Sequence, residues 1–119
     1  MTSTAHHHAP GWFDISTPDA RRARRFYQEM FDWPVNAVDE TYALVGDDGG
    51  RPTGGIGQAG PNSPYTGIVV YFPVDDVDDA LARAQRLGGS RVLEPARTPL
   101  GRIAVFADPD GNLVGLLSR

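Results

Sequence analysis

The strongest constraint on the fold is an order of predicted elements that occurs twice along the 119 residues. In the first half, alternating apolar and polar residues predict a strand at 11–16, and apolar residues at helical spacing predict a helix that ends near Phe31. Three short strands are then predicted at 34–38, 42–45 and 54–58. The first half therefore has the order strand, helix and three strands, or βαβββ.

The same order returns after a linker at 59–66 that is rich in Pro, Gly, Asn and Ser. A predicted strand at 68–74 leads into a helix that Asp75 or Asp76 caps and Gly88-Gly89 ends. The last three strands are predicted at 91–93, 102–107 and 113–117.

A half of roughly 50 residues is too small to close a core alone, so we expect the two halves to pack as one domain. That domain covers 11–119, with module one at about 11–58, module two at about 67–119, and a disordered tail at 1–10.

Local signals at the helix ends and turns add detail to this outline. The Thr17-Pro18 pair predicts the start of the first helix, with Thr17 as its N-cap. The segment Asp108–Asn112 has the turn chemistry of a β-hairpin. The glycines of Gly54–Gly57 open no helix, which excludes a dinucleotide loop and instead favours close approach of a ligand or of the other module. One apolar stripe is predicted along the first helix, made of Ala20, Ala23, Phe26, Tyr27, Met30 and Phe31.

Composition narrows the classes of function. The chain has no cysteine, which excludes disulfides and thiolate chemistry, and no apolar run long enough to span a bilayer. Its net charge of −4 argues against a nucleic-acid or anionic-membrane partner. We therefore expect a cytoplasmic protein that binds neither nucleic acid nor a membrane.

Four segments in this order resemble the vicinal oxygen chelate (VOC) superfamily, which contains glyoxalases, bleomycin-resistance proteins and extradiol dioxygenases. These segments are Phe13–Phe31, Trp33-Pro34, Val74–Gly89 and Ala107–Leu117. The resemblance implies an α+β fold in which two βαβββ modules form a curved mixed sheet around a cavity, usually in a homodimer.

In the metal-using relatives, the resemblance places four ligands at positions that are Trp12, Gly55, Val69 and Gly115 in this chain. None of these residues has a metal-binding side chain, and no His or Cys occurs after residue 8. His6–His8 are interpreted as a tail or the remnant of a purification tag. We therefore expect no metal and no cofactor.

The first strand supplies two candidate ligand-binding residues, Trp12 and Asp14, which alternation puts on one face. Phe13 and Ile15 lie on the other face, and if that face packs on the helix, the first pair faces the cavity. A Trp there offers a stacking surface, and an Asp in an apolar cleft would have a raised pKa or an Arg partner. The alternatives are a core or interface Trp12 and a structural Asp14.

Three further candidates come from the second half. Tyr71 shares a strand face with Val69, and its phenol would either hydrogen-bond a ligand or simply pack in the core. Arg102 and Phe106 share a face of the penultimate strand. Arg102 would clamp an anionic ligand, pair with Asp14, or remain solvated.

Two classes of function remain open. The first is a metal-free protein of the bleomycin-resistance type that binds a small aromatic molecule between Trp12, Tyr71 and Trp33, for instance to sequester an antibiotic. The second is a small enzyme, either a metal-free isomerase or cyclase with Asp14 as general base or, ranked lower, a metal-dependent lyase or dioxygenase.

Overall fold

The computed structural model describes residues 9–46, 51–61 and 65–119. The predictions on His6–His8 and on most of the tail lie outside the described residues. The chain divides into two compact units, one of residues 12–69 and one of residues 70–119 with the segment before Trp12. Each unit corresponds closely to one predicted module.

Module one has one helix and four strands in the predicted order. They are β1 (Trp12–Thr17), α1 (Ala20–Phe31), β2 (Val35–Ala37), β3 (Tyr42–Val45) and β4 (Gly54–Gln58). The strands are arranged β2-β3-β4-β1, with β1 and β4 parallel and the other neighbours antiparallel. The sheet of this module is therefore mixed.

Module two repeats this topology. It contains β5 (Gly67–Pro73), α2 (Val77–Arg86), β6 (Ser90–Thr98), β7 (Gly101–Ala107) and β8 (Leu113–Ser118). Its strands are arranged β5-β8-β7-β6, and again the first and last strands of the module pair in parallel. The predicted α+β class with two βαβββ modules is confirmed. No helix in the described part of the chain is long and apolar enough to cross a membrane.

Each module buries a core between its helix and its sheet. In module one, Ile15, Val45 and Ile56 are buried, and Phe13 packs against them together with Tyr27 of α1. The core of module two consists of Val77, Leu81, Ala104 and Leu116. Because Phe13 and Ile15 face α1, alternation along β1 turns Trp12 and Asp14 to the opposite face, as the sequence predicted.

The predicted N-cap of α1 is wrong. Asp19 caps this helix, and its carboxylate accepts a hydrogen bond from the Arg22 backbone N–H at 3.0 Å. The Thr17 hydroxyl accepts from the Asp19 backbone N–H at 3.1 Å, so Thr17 fixes the cap residue instead of capping the helix. Pro18 lies before the cap and is not the first helical residue. In α2, Asp76 is the N-cap, one of the two predicted residues.

The apolar stripe predicted along α1 is only partly buried. Ala20 is buried, whereas the side chains of Phe26, Met30 and Phe31 are 60%, 62% and 51% exposed. Leu87, the C-cap residue of α2, is 71% exposed. Helical spacing identified the apolar residues correctly but not which of them meet the sheet.

The last hairpin of module two matches its prediction, and the strand before it does not. Asp108 Oδ1 accepts hydrogen bonds from the backbone N–H groups of Asp110 and Asn112, which fixes the turn between β7 and β8. β6 is nine residues long instead of the predicted three. Its pairing with β7 shifts register on either side of Leu93, and these bulges break the alternation on which the prediction depended.

Removing the cap of α1 tests this assignment. We expect Asp19→Ala to lower the free energy of unfolding by about 1 kcal/mol, because the Arg22 N–H loses its acceptor. Thr17→Ala should have a smaller effect, and Asp76→Ala in α2 should match Asp19→Ala. Urea denaturation of the three variants measures this, and a larger loss for Thr17→Ala than for Asp19→Ala would restore Thr17 as the cap.

Candidate functional site

The Asp14 carboxylate is the centre of a polar cluster on the face of the β1–β4 sheet that points away from α1. The Trp12 indole N–H donates to Asp14 Oδ1 at 3.1 Å, and the Tyr42 hydroxyl donates to the same oxygen at 2.9 Å. In the described part of the chain, no hydrogen bond reaches Oδ2. One oxygen is therefore fixed by two neutral donors, and the other is left for a proton or a ligand.

Burial raises the pKa of Asp14, and the hydrogen bonds from Trp12 and Tyr42 lower it only in part. No cation contributes to this balance. Burial and the neighbouring carboxylate also raise the pKa of Tyr42 far above its usual range, so its hydroxyl keeps its proton and remains a donor. The carboxylate thus lies in a site that does not neutralise its charge, a common property of ligand-binding and proton-transfer groups.

Glycine at position 55 makes room for this cluster. Gly55 pairs with Asp14 across the parallel β1–β4 ladder. A Cβ at Gly55 would overlap the Tyr42 hydroxyl and would lie 2.9 Å from Asp14 Oδ1. The absence of a side chain at this position is what allows Tyr42 of β3 to cross β4 and reach β1.

Module two has a related arrangement with different chemistry. Tyr71 pairs with Gly115 across the parallel β5–β8 ladder, as Asp14 pairs with Gly55 in module one. A Cβ at Gly115 would overlap the Tyr71 ring, and Tyr71 is only 1% exposed. In both modules a tyrosine occupies the space above the glycine.

The resemblance places metal ligands at four positions, and the residues that this chain carries there do not suit a metal ion. Trp12 and Val69 offer an indole and an alkyl group, and the tyrosines fill the space where side chains at Gly55 and Gly115 would lie. Among the described residues, no group of three or more His, Cys, Asp or Glu side chains is placed to hold a metal ion. No step that uses a metal is therefore derived for this chain.

The structure places Arg102 and Phe106 on the helix face of the module-two sheet. The Arg102 guanidinium forms two hydrogen bonds with Asp78 of α2, at 2.8 and 3.0 Å. Phe106 packs against the core beneath α2. The suggested pairing of Arg102 with Asp14 is therefore wrong, because Asp78 is the carboxylate partner of Arg102.

The two tryptophans lie on opposite faces of the module-one sheet. Trp33 contacts Phe13 and Phe31 on the helix side, with ring centroids 5.5 and 4.9 Å apart, so it does not join Trp12 in one stacking site. Trp12 is 4% exposed and leaves little open ring surface. Its observed role is to hold Asp14 through the indole N–H.

Tyr42 is the site residue that sequence reasoning missed. It begins a strand of only four residues, and no motif marks it. The available signal was the glycine run of β4: glycines in the interior of a sheet leave space that a large side chain from a neighbouring strand can fill. We interpreted this space as room for a ligand or for the other module, and Tyr42 occupies it.

A concave region lies on the helix side of module one, at the start of α1. It is a cavity of about 350 Å³ with mainly apolar walls that include Ile15, Ala23, Phe26, Tyr27 and Ile68. Arg22 lies at its border. This cavity is separated from the Asp14 cluster by the sheet itself.

The sequence profile of the Glyoxalase/Bleomycin resistance protein/Dioxygenase superfamily matches residues 9–116. The match covers most of the chain and agrees with the two βαβββ modules. The chain belongs to this superfamily.

Two relatives and one solved structure are similar to this chain. The anthracycline biosynthesis protein DnrV of Streptomyces peucetius is 34% identical over 87% of this chain, and DauV of Streptomyces sp. strain C5 is 33% identical over the same share. This chain spans 44% of the length of each. A methylmalonyl-CoA epimerase structure has a TM-score of 0.65 at 21% identity, covering 93% of this chain and 94% of that one. At this identity, the likeness to the epimerase supports the fold alone.

Adding a side chain at Gly55 tests whether Tyr42 needs the space above it. We expect Gly55→Ala to cost about 1–3 kcal/mol of stability through overpacking. Combining it with Tyr42→Ala should remove part of that cost, so the two changes should not be additive in urea denaturation. Gly60→Ala is the control, because nothing lies within 4 Å of the added Cβ. Equal losses of stability for Gly55→Ala and Gly60→Ala would contradict the close contact between Gly55 and Tyr42.

The raised pKa of Asp14 predicts a pH dependence of stability. The folded state binds the Asp14 proton more tightly than the unfolded state, so wild type loses stability as pH rises above about 4. Asp14→Asn lacks this loss, so the stability of the variant relative to wild type should increase as the pH rises from about 4.

Asp78→Asn provides a control of opposite sign. Arg102 lowers the pKa of Asp78, so wild type gains stability as pH rises through that pKa. Asp78→Asn lacks this gain, so its stability relative to wild type should decrease as pH rises. Urea denaturation at several pH values measures both differences. A difference between Asp14→Asn and wild type that does not vary with pH would contradict the raised pKa.

Proposed function

We propose that this chain binds a small organic molecule without a metal, on the face of module one that carries Asp14, Trp12 and Tyr42. The observation that supports this most directly is the half-satisfied carboxylate: two neutral donors hold Oδ1, and Oδ2 has no hydrogen-bond partner in the described chain. Asp14 is half-buried and has no counter-charge among the described residues, a setting that is common for ligand-binding and proton-transfer groups. Asp14 is the polar anchor of the proposed site.

The names of two relatives suggest the class of ligand. DnrV and DauV are both named as anthracycline biosynthesis proteins. Anthracyclines are flat, polycyclic and rich in hydroxyl groups, so such a molecule would combine an apolar body with donors for Asp14 Oδ2. The proposed ligand is a planar polyketide-like aromatic, and sequestration of such a compound is the proposed role.

A metal-free enzyme is the second candidate. The raised pKa of Asp14 favours it, because a carboxyl group that holds its proton more tightly than usual is better suited to act as a general base or acid. Tyr42 would then stabilise the negative charge on Asp14 or on the substrate. The reaction class would be an isomerisation or cyclisation through proton transfer.

Two further features of the proposal concern the setting of the site. The protein is proposed to act in the cytoplasm, where a chain without cysteine loses no stabilising disulfide. It is also proposed to form a homodimer, which is supported by the large apolar side chains exposed along α1.

Quenching of tryptophan fluorescence by an anthracycline tests the binding role. We expect saturable quenching in wild type and a roughly 10- to 100-fold weaker affinity for Asp14→Asn, the equivalent of losing one hydrogen bond to a charged group. Asp78→Asn, on the helix face of module two, should bind like wild type. Prior treatment with a chelator should leave the affinity unchanged.

Analysis of the recovered ligand separates the two candidate functions. An unchanged compound after long incubation supports binding, whereas a new product that Asp14→Asn does not form supports the enzyme. Equal quenching of wild type and Asp14→Asn would show that Asp14 does not contribute to ligand binding. Loss of binding after chelation would show that a metal is required.

A further inference from the structure

The outward surface of α1 carries large apolar side chains that its own module does not cover. Phe26 and Met30 lie one turn apart and are 60% and 62% exposed. Phe26 also borders the cavity at the start of the helix, next to Ile68, which is 60% exposed. A contiguous apolar surface of this kind is typical of an interface.

The charges of α1 run against its macrodipole. No acidic residue lies in its first turn and no basic residue in its last, whereas arginines occupy positions 21, 22, 24 and 25 and Glu29 follows one turn later. In α2 the first turn carries Asp78 and Asp79 and the last turn Arg83 and Arg86, the arrangement that the dipole favours. Apart from the Asp19 carboxylate at the N-cap, the charges of α1 therefore oppose its dipole and lower the stability of that helix by itself.

Among the described residues, the arginines of α1 have few partners. Arg24 donates from Nη2 to the Asp39 carbonyl at 2.9 Å. In the described part of the chain, Arg22, Arg25 and Glu29 take part in no ion pair. Their charges are therefore available for contacts with another molecule.

The apolar and charged groups of α1 share one face. At 100° per residue, Arg22, Phe26 and Glu29 fall within an arc of about 60°, with Arg25 and Met30 on either side of it. Arg22 and Glu29 are about 10 Å apart along the axis, with Phe26 between them. The central arc therefore has a basic end, an apolar middle and an acidic end, and Arg25 lies at its edge, level with Phe26.

We infer that α1 pairs in antiparallel orientation with α1 of a second copy of this chain, about a two-fold axis near Phe26. Such a pairing places Arg22 of each copy beside Glu29 of the other and packs the two Phe26 rings together at the centre. A two-fold interface must be self-complementary, and a face that is basic at one end and acidic at the other meets that condition. Antiparallel helices also bring opposite ends of their dipoles together.

This inference rests on the homodimer part of the proposed function and is independent of its ligand. A second copy is the occupant that the charge pattern favours, since one surface supplies both the arginines and the carboxylate. Two copies also give a total length comparable with that of DnrV, of which this chain spans 44%.

Paired charge reversals test the interface by sedimentation equilibrium. Wild type is expected to be a dimer, and Arg22→Glu and Glu29→Arg should each weaken dimerisation at least tenfold, because each places like charges together. Mixing these two variants should restore a heterodimer, and the double variant should restore the homodimer. Arg22→Glu should nevertheless raise the stability of the monomer, since it places an acidic side chain in the first turn of α1.

Phe26→Asp removes the apolar centre and should give a folded monomer, with circular dichroism confirming the fold. The control is Leu87→Asp, which changes an equally exposed apolar residue at the end of α2 and should leave the dimer intact. If wild type is a monomer at all concentrations, both the proposed dimer and the proposed interface are wrong. A dimer that tolerates Phe26→Asp, or that the mixture of charge variants does not restore, would place the interface elsewhere.

Discussion

Tyr42 can reach Asp14 only because residue 55 has no side chain. This contact links three neighbouring strands, since the tyrosine of β3 passes over the glycine of β4 to a carboxylate of β1. It fixes one carboxylate oxygen, adds to the rise that burial causes in the pKa of the phenol, and fills the space in which the resemblance places a metal-ligand side chain. The chemistry proposed for this face depends on that packing, because without it Asp14 would have one donor and a flexible environment.

The two modules show how one topology can carry different groups at equivalent positions. Asp14 and Tyr71 both lie opposite a glycine across a parallel ladder. In module one the position bears a carboxylate held by two donors, and in module two it bears a buried ring. A polar group that is incompletely satisfied is costly for folding, whereas a packed ring stabilises its surroundings. Module two is therefore suited to a structural role on this face, and module one to a chemical one.

Sequence reasoning predicted the fold because strands and helices have different apolar periods, and β3 and β4 were placed with correct ends. It also assigned Asp14 to the face away from the helix. It failed where distant residues decide the outcome: the bulges in β6, the partner of Arg102, and the crossing of β4 by Tyr42. The sequence also did not predict that the apolar side chains of α1 are exposed. Helical spacing identifies an apolar face but does not show whether that face packs on the sheet.

The parallel pairing of β1 with β4 has a consequence for the order in which the protein folds. Asp14 and Gly55 are 55 − 14 = 41 residues apart, whereas Ala107 and Leu113 at the end of the β7–β8 hairpin are six apart. Contacts between distant segments form later than local hairpins, because closing a longer loop costs more entropy. The Asp14 carboxylate is therefore expected to acquire its Tyr42 and Gly55 neighbours late, and the proposed binding site would form only then.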